Sequence, residues 1–265
     1  MLLVIDIGNT NTSLGMFNGE TLAAHWRLTT ARARTIDEWG VHARNLFALA
    51  NLDFRSIAAV AIASVVPPLN FTLKRMAEVY FGLTPLFVDH TLDTGVPILY
   101  QPPSDVGADR IVDAVAAIHK YGAPCIVVDF GTATTCDAIN FRGEYLGGVI
   151  TPGITISSDA LFERAAKLPR VEIKRPRKVI GSTTVEAMQS GLYYGYVGLV
   201  DGILRTMIDE LDCSARVIAT GGLAPLIATG SEFIETVDET LTLEGLRLVY
   251  ERTKAVSSFG FRVSS

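Results

Sequence analysis

The sequence has few of the residues that build disulfide frameworks and metal centres. Its three cysteines, Cys125, Cys136 and Cys213, are widely spaced in 265 residues and lie in apolar contexts. An odd number in such contexts indicates small buried side chains in a reducing compartment. Four scattered histidines show no metal-ligand spacing, which argues against a zinc site. They are His25, His42, His90 and His119.

Long apolar runs and basic clusters are also scarce. No apolar run reaches the 18 residues of a membrane-spanning helix, and the apolar residues 1–7 lack the charged region and cleavage site of a signal peptide. The net charge is −5, and the densest basic cluster, Lys174–Lys178, is short and contains a proline. We therefore expect a cytoplasmic protein that uses neither a membrane nor a nucleic acid.

The glycine-rich signatures that mark nucleotide sites in many enzymes are missing. There is no G-x-x-x-x-G-K-[ST], no G-x-G-x-x-G after a strand and no kinase-type H-R-D. Gly191, Gly195 and Gly198 lie instead within one long predicted helix. Their spacing favours close helix–helix approach, in a core or a dimer seam, over ligand binding.

The most informative feature that is present is an internal repeat. Val4–Thr12 returns 123 residues later as Val127–Thr135, and in both copies an apolar strand ends on Asp-x-Gly and turns through small polar residues. Phe17–Glu20 is answered by Phe141–Glu144, with one residue inserted. With 49% hydrophobic and 19% charged residues, the chain has material for two globular lobes. We therefore predict a duplicated fold with its two hairpins placed face to face.

The apolar periodicity predicts lobes at residues 1–120 and 121–265, each an α/β unit with a three-stranded meander followed by alternating helices and strands. The strands are expected at 2–7, 12–18, 21–29, 58–64, 86–88, 125–130, 133–140, 144–150, 216–219 and 233–236. The helices are expected at about 35–50, 67–80, 106–121, 153–165, 182–211, 223–229 and 242–254. Residues 89–105, which contain three prolines, are expected to be irregular.

The two hairpin turns carry groups suited to a nucleotide. Backbone N–H groups and hydroxyls can cradle phosphate oxygens, and the carboxylates of Asp6 and Asp129 can hold the accompanying cations. Each Asp could instead be a turn former at a strand end. Near the C-terminus, Ala219–Gly222 follows a strand and could admit a flat ring such as adenine, or simply connect strand to helix.

Two Asp-x-Gly hairpins and a late Thr-Gly-Gly turn resemble the actin, hexokinase and Hsp70 superfamily. Within it, the chain resembles type III pantothenate kinases from Leu3 to about Glu251. The resemblance rests on Asp6–Thr12, Gly107–Arg110, Asp129–Thr135 and Gly147–Gly153. It implies two actin-like (ribonuclease H-like) lobes, each a mixed sheet with flanking helices, and a nucleotide in the cleft between them. The activity it implies is transfer of the γ-phosphoryl group of ATP to pantothenate, giving 4′-phosphopantothenate for coenzyme A synthesis.

The resemblance also implies roles for individual residues. Asp109 would be the general base, Arg110 would hold the substrate carboxylate, Asp6 would serve Mg²⁺–ATP, and Asp129 would bind a monovalent cation, K⁺ or NH₄⁺. The implied ATP contacts are Asp6, Ile7, Gly8, Asn9, Thr10, Asn11, Thr12 and Thr132. The implied pantothenate contacts are Tyr100, Gly107, Ala108, Asp109, Arg110 and Thr184. The family's subunits pair as homodimers, with pantothenate bound near the seam.

Each substrate-side residue has a simpler alternative. Asp109 could be an acid stabilising the first turn of a helix, Arg110 a surface ion pair, and Tyr100 a loop aromatic. Thr184 could be an ordinary hydroxyl at a helix N-terminus. At the level of function, another phosphotransferase or phosphatase of the superfamily, acting on a sugar, acetate or polyphosphate, would not need the Gly-x-Asp-Arg set. A non-catalytic, nucleotide-gated accessory protein would be expected to have lost Asp109 or a phosphate turn, and both are present.

Overall fold

Two five-stranded sheets, one in each of two units, carry the fold of this computed structural model, which describes residues 1–260. The first unit comprises residues 1–97, 101–116 and the chain from Thr242, and the second comprises 98–100 and 117–241. The last helix thus groups with the first unit, although the lobes predicted from the repeat were 1–120 and 121–265. It packs closely there, since a side chain at Gly245 would overlap the backbone of Val112.

The elements follow the predicted order. The strands are β1 (Leu2–Ile7), β2 (Asn11–Asn18), β3 (Thr21–Thr29), β4 (Ala59–Ser64), β5 (Leu86–Phe87), β6 (Cys125–Phe130), β7 (Ala133–Ile139), β8 (Tyr145–Pro152), β9 (Arg216–Thr220) and β10 (Thr236–Val237). The α-helices are α1 (Ile36–Leu49), α2 (Pro67–Met76), α3 (Ala108–Tyr121), α4 (Ile154–Arg164), α5 (Thr184–Leu211), α6 (Ala224–Ala228) and α7 (Leu241–Gly260). Short 3₁₀ turns lie at Phe54–Ser56 and Pro103–Asp105, and a π-helical turn lies at Ala77–Phe81.

The two sheets have the same topology, which confirms the predicted duplication. The first has the order β3-β2-β1-β4-β5, and the second has the equivalent order β8-β7-β6-β9-β10. In each, three antiparallel strands form a meander and two later strands add in parallel. A meander followed by parallel strands in both units matches the predicted mixed sheets with flanking helices.

The register of the two hairpins differs by one residue. In the first, Ile7 pairs with Thr12 and Asp6 with Ser13. In the second, Phe130 pairs with Thr134 and Asp129 with Thr135. The second turn is therefore one residue shorter, and Thr12, which aligns with Thr135 by sequence, corresponds in space to Thr134.

Each unit has its own apolar core. In the first, the inward faces of β1, β2 and β4 meet α1 and α2 around Trp39 and Phe47. Thr35 and Glu38 form a capping box that starts α1, at the residue where the sequence predicts this helix to begin. In the second, β6 and β9 pack on α5 through residues such as Val128, Leu192 and Tyr193. These cores fix the strands whose ends carry the polar turns.

Three local predictions need correction. α2 ends at Met76 and continues as a π-helical turn, and β10 is shorter and later than expected. Cys213 is half-buried, whereas the other two cysteines are buried. The glycines of α5 do not lie in a core of the described chain, because a side chain at Gly191, Gly195 or Gly198 would meet no neighbouring atom within 4 Å, and the alternative of a dimer seam stays a prediction.

Within residues 1–260, no helix is both long and apolar enough to cross a membrane.

Candidate active site

The first polar turn links β1 to β2 and is bound by the side chain of Thr30, the residue that directly follows β3. Gly8 N donates to Asn11 O (2.9 Å), which closes the turn. Thr30 Oγ1 donates to Gly8 O (2.7 Å), and its oxygen lies 2.9 Å from Thr12 Oγ1. Asn9, Thr10 and Asn11 are exposed at the tip, whereas Thr12 is fully buried. The Thr12 side chain therefore supports the turn from inside.

The other predicted residues of this turn lie where the strand ends. Asp6 and Gly8 are partly exposed, and Ile7 is buried with its carbonyl accepting from Val65 N (3.0 Å). Arg32 Nη2 donates to Asn9 Oδ1 (2.9 Å), so the guanidinium of Arg32 holds the tip of the turn in addition to Thr30. The turn thus presents backbone groups and small polar side chains to solvent, beside one carboxylate.

The second polar turn places the Asp129 carboxylate between two glycines. A side chain at Gly131 would lie 3.1 Å from Asp129 Oδ2, and one at Gly221 would overlap Oδ1. Gly221 has a φ of +90°, which few other residues adopt. The late Thr-Gly-Gly turn therefore packs against Asp129, and its first glycine keeps space open at the carboxylate.

Two further groups support this turn from behind. Gly153 N donates to the carbonyl of Thr132 (3.2 Å), and any side chain at Gly153 would overlap that carbonyl. Tyr196 of α5 donates its hydroxyl to Pro152 O (3.0 Å), which fixes the strand end that precedes Gly153. Thr132 itself is exposed at the turn.

The Gly-x-Asp-Arg segment lies at the start of α3, in the first unit. Asp109 Oδ1 accepts from the backbone N of Arg110 (2.8 Å). The Cβ of any other residue at position 107 would lie 2.5 Å from that same oxygen and would displace the carboxylate, so this position requires glycine. Asp109 is partly exposed and Ala108 is buried.

Arg110 is 9% exposed, so it does not lie on the surface. A buried guanidinium carries a large desolvation cost, and such groups are kept where they meet an anion or a polar network. The first turn of α3 thus carries a partly exposed carboxylate, Asp109, followed by a buried guanidinium, Arg110.

Tyr100 and Thr184 lie in the second unit. The ring of Tyr100 lies over Gly147 of β8, where a side chain would come within 2.9 Å of Tyr100 Cδ2. Thr184 is exposed in the first turn of α5, but the helix is capped by Thr183, whose Oγ1 accepts from Glu186 N (3.2 Å). Capping therefore does not account for Thr184.

Sequence reasoning missed several of these supports. Thr30 and Tyr196 act through side chains that arrive from distant parts of the chain, and no local pattern marks them. Gly153 could be noticed in the sequence because it ends the Gly147–Gly153 segment. Its hydrogen bond to the Thr132 carbonyl, however, follows only from the pairing of the strands. For the turn that contains Gly221, the sequence left open a place for a flat ring or a simple connection from strand to helix, and neither alternative included a contact with Asp129.

The two buried cysteines are not available as thiolates. Burial raises the pKa of the Cys125 and Cys136 thiols to about 12, which leaves both protonated at neutral pH. Among residues 1–260, no three His, Cys, Asp or Glu side chains group closely enough to hold a metal ion.

Comparisons with known proteins agree on one family. The sequence profile of the type III pantothenate kinases matches residues 2–206. The type III pantothenate kinase of Koribacter versatilis (strain Ellin345) is 57% identical over 265 residues, covering 96% of this chain and 97% of its own. That of Anaeromyxobacter sp. (strain Fw109-5) is 58% identical over 254 residues, covering 96% of this chain and all of its own (100%).

A solved structure with the same fold is the activator of the 2-hydroxyisocaproyl-CoA dehydratase from Clostridium difficile with bound ADPNP. It superposes with a TM-score of 0.57 at 13% identity, over 97% of each chain. At that identity the likeness concerns the fold.

Proposed function

The chain belongs to the type III pantothenate kinase family and catalyses ATP-dependent phosphorylation of pantothenate, the first step of coenzyme A biosynthesis; from that premise we propose how its residues share the reaction. The observation that carries the proposal is the Asp129 carboxylate, flanked by Gly131 and Gly221 at the end of a strand. Glycine on both sides leaves room for a cation and for phosphate oxygens beside the acid.

Each polar turn, taken by itself, carries groups suited to phosphate oxygens of ATP. In the first, the exposed tip Asn9–Asn11 and the backbone from Asp6 to Thr12 offer N–H groups and small polar side chains. In the second, Thr132 offers its hydroxyl and backbone. The fold is known to accept such a ligand, since the Clostridium activator was solved with ADPNP bound.

Asp6 serves the magnesium ion of Mg²⁺–ATP, and Asp129 binds the monovalent cation, K⁺ or NH₄⁺. Both are partly exposed carboxylates at strand ends, the kind of hard oxygen donor that either ion prefers. When bound, these ions neutralise charge on the phosphates. Residues 1–260 contain no preassembled set of three acidic, His or Cys ligands, which fits ions that rely on phosphate and water.

Asp109 is the general base and Arg110 the carboxylate clamp. One oxygen of Asp109 accepts from Arg110 N, which fixes the carboxylate so that it can take the proton of pantothenate's primary hydroxyl. The hydroxyl oxygen bonds to the γ-phosphorus of ATP as the bond from that phosphorus to the bridging oxygen breaks and ADP leaves. The buried guanidinium of Arg110 offers a planar pair of donors to the carboxylate of pantothenate. Phosphoryl transfer needs positioning and charge neutralisation more than covalent chemistry, which these two residues supply.

The remaining pantothenate contacts are Tyr100, Thr184 and the backbone of Gly107 and Ala108. Gly107 has no side chain to block approach to Asp109, and Thr184 is exposed and not needed for capping. Tyr100 presents a ring and a hydroxyl on the surface of β8.

We propose that the enzyme works as a cytoplasmic homodimer. Gly191, Gly195, Gly198 and Gly202 of α5 have open space around them, and Ile180, just before the helix, is 89% exposed. A face of this kind allows a second copy to approach closely. Gly195→Trp should therefore give a monomer by light scattering, whereas Glu210→Trp, at an exposed position in the last turn of α5, should not.

The division of cation duties can be tested by ion exchange. We expect low activity in sodium-only buffer and recovery on adding K⁺ or NH₄⁺. Asp129→Ala should abolish that recovery, and Asp6→Ala should instead raise the Mg²⁺–ATP concentration needed for turnover. Wild-type turnover that is indifferent to K⁺ and NH₄⁺ would contradict the assignment to Asp129.

A further inference from the structure

A three-residue segment departs from its neighbours in the chain. Ile98–Tyr100 groups with the second unit, although the residues on both sides of it group with the first. The attachment is specific: Leu99 N donates to the carbonyl of Tyr145 (2.9 Å), and Ile98 forms a parallel bridge with the same residue. The placement of this segment therefore depends on Tyr145, at the start of β8.

Tyr145 is itself fixed by a buried acid. It is 1% exposed, and its hydroxyl donates to Asp137 Oδ1 (2.6 Å) on the neighbouring strand β7. Asp137 is 3% exposed, and its other oxygen accepts from Thr135 Oγ1 (3.1 Å). Hydrogen bonds to a buried carboxylate are among the stronger ones in proteins, so the pair holds one geometry.

The segment ends on Tyr100, whose ring lies over Gly147. A side chain at Gly147 would come within 2.9 Å of Tyr100 Cδ2, and its φ of +122° also favours glycine. The ring thus lies on a bare stretch of β8, two residues beyond Tyr145. Its height above the strand is set by Gly147, and its position along the strand is set by the Leu99–Tyr145 hydrogen bond.

We propose that Tyr145, locked by Asp137, is a positioning residue that holds Tyr100 where it contacts pantothenate. The inference rests on the proposed role of Tyr100 in substrate binding. Neither Tyr145 nor Asp137 belongs to the groups assigned to the phosphates or the proton. Their loss should therefore weaken pantothenate binding and leave the use of ATP unchanged.

The test compares Tyr145→Phe, Tyr100→Ala and the double variant with the wild-type enzyme, by ADP release at varied pantothenate and varied ATP. We expect Tyr145→Phe to raise KM for pantothenate by roughly threefold to tenfold, with KM for ATP and kcat within about twofold. The double variant should bind pantothenate no more weakly than Tyr100→Ala alone, because one residue acts through the other.

Tyr121→Phe is the matched control. It removes a hydroxyl that donates to another buried acid of the same unit, Asp238 Oδ2, at 2.7 Å. It should lower the unfolding temperature about as much as Tyr145→Phe while leaving KM for pantothenate unchanged. An equal rise in KM in both variants would reduce the effect to general destabilisation and overturn the inference.

The outcomes separate this inference from the assignment of Tyr100. If Tyr100→Ala leaves KM for pantothenate unchanged, the assignment of Tyr100 fails. If Tyr100→Ala raises it and Tyr145→Phe does not, or if the two effects multiply in the double variant, the positioning role fails alone. Should Tyr145→Phe not fold, Leu99→Pro at an exposed site removes the backbone hydrogen bond that holds the segment to Tyr145, and an unchanged KM for pantothenate there would refute the proposal.

Discussion

Replacing Gly221 with alanine is the most direct test of the space beside Asp129. The added methyl group would lie 2.7 Å from the backbone N and C of Phe130 and closer still to Asp129 Oδ1. Ordinary contacts of a Cβ atom begin at 3.4 Å, so the turn or the carboxylate must move by about 0.7 Å or more. The φ of +90° adds a backbone cost of about 1 kcal/mol.

The backbone cost and the displacement can be separated because the chain offers a matched glycine. Gly122 has a φ of +82°, and a side chain there would meet no atom within 4 Å. Gly122→Ala therefore carries the same conformational cost without the overlap. A misplacement of about 1 Å in a site of this kind can cost on the order of 10²-fold in rate.

We expect Gly221→Ala to lose roughly 10²-fold in kcat/KM for ATP, and Gly122→Ala to stay within about threefold of the wild type. Gly122→Ala should unfold a few degrees below the wild type, and Gly221→Ala lower still, because only the second variant also carries the overlap. The measurement is ADP release with saturating pantothenate at varied ATP, with thermal unfolding followed in parallel. If the two variants had similar activity, the position of the Asp129 carboxylate would not matter to the reaction, and the reasoning would be refuted.

Three further predictions concern single side chains. Asp109→Asn should keep its unfolding temperature within a few degrees and lose ~10²–10⁴-fold in kcat, and near-wild-type turnover in the folded variant would exclude it as the base. Arg110→Lys should raise KM for pantothenate about tenfold with little change in KM for ATP, whereas an equal rise in both would indicate a structural role. Burial raises the pKa of Asp238, but hydrogen bonds from Lys120 and Tyr121 and the charge of Lys120 outweigh it and leave that pKa below its ordinary value. The ionised Asp238 therefore stabilises the folded protein near neutral pH, and this contribution is lost as the pH falls through the lowered pKa. Lys120→Met should accordingly lower the unfolding temperature at pH 7 more than at pH 3. An equal decrease at both pH values would contradict this.

Much of the fold could be predicted because its signals are local. Alternating and continuous apolar runs depend on a few consecutive residues, and the strands and helices that they predict are present. The duplication was visible because both copies kept an acid and a glycine at a strand end. Repeated sequence therefore predicted a repeated topology, and the two sheets have it.

What the sequence did not predict depends on which surfaces meet. The pattern of α7 marks an amphipathic helix, but only packing at Gly245 shows that it joins the first unit. The glycines of α5 have a spacing typical of helix contacts, yet no other part of the described chain lies on them. Thr30 supports the first turn from 22 residues away, where no periodicity connects it to Gly8.

The two repeated acids show how duplicated positions can come to differ. Asp6 pairs across the parallel strand with Ala63, and Asp129 pairs with Thr220. The next residue along the parallel strand is Ser64 in the first unit and Gly221 in the second. Ser64 carries a side chain that accepts from Val66 N (3.2 Å), whereas Gly221 leaves its side of Asp129 without one. Because a cation's coordination shell is set by the room and the oxygens around its carboxylate, equal strand positions with unequal neighbours are a physical reason to expect different ions at Asp6 and Asp129.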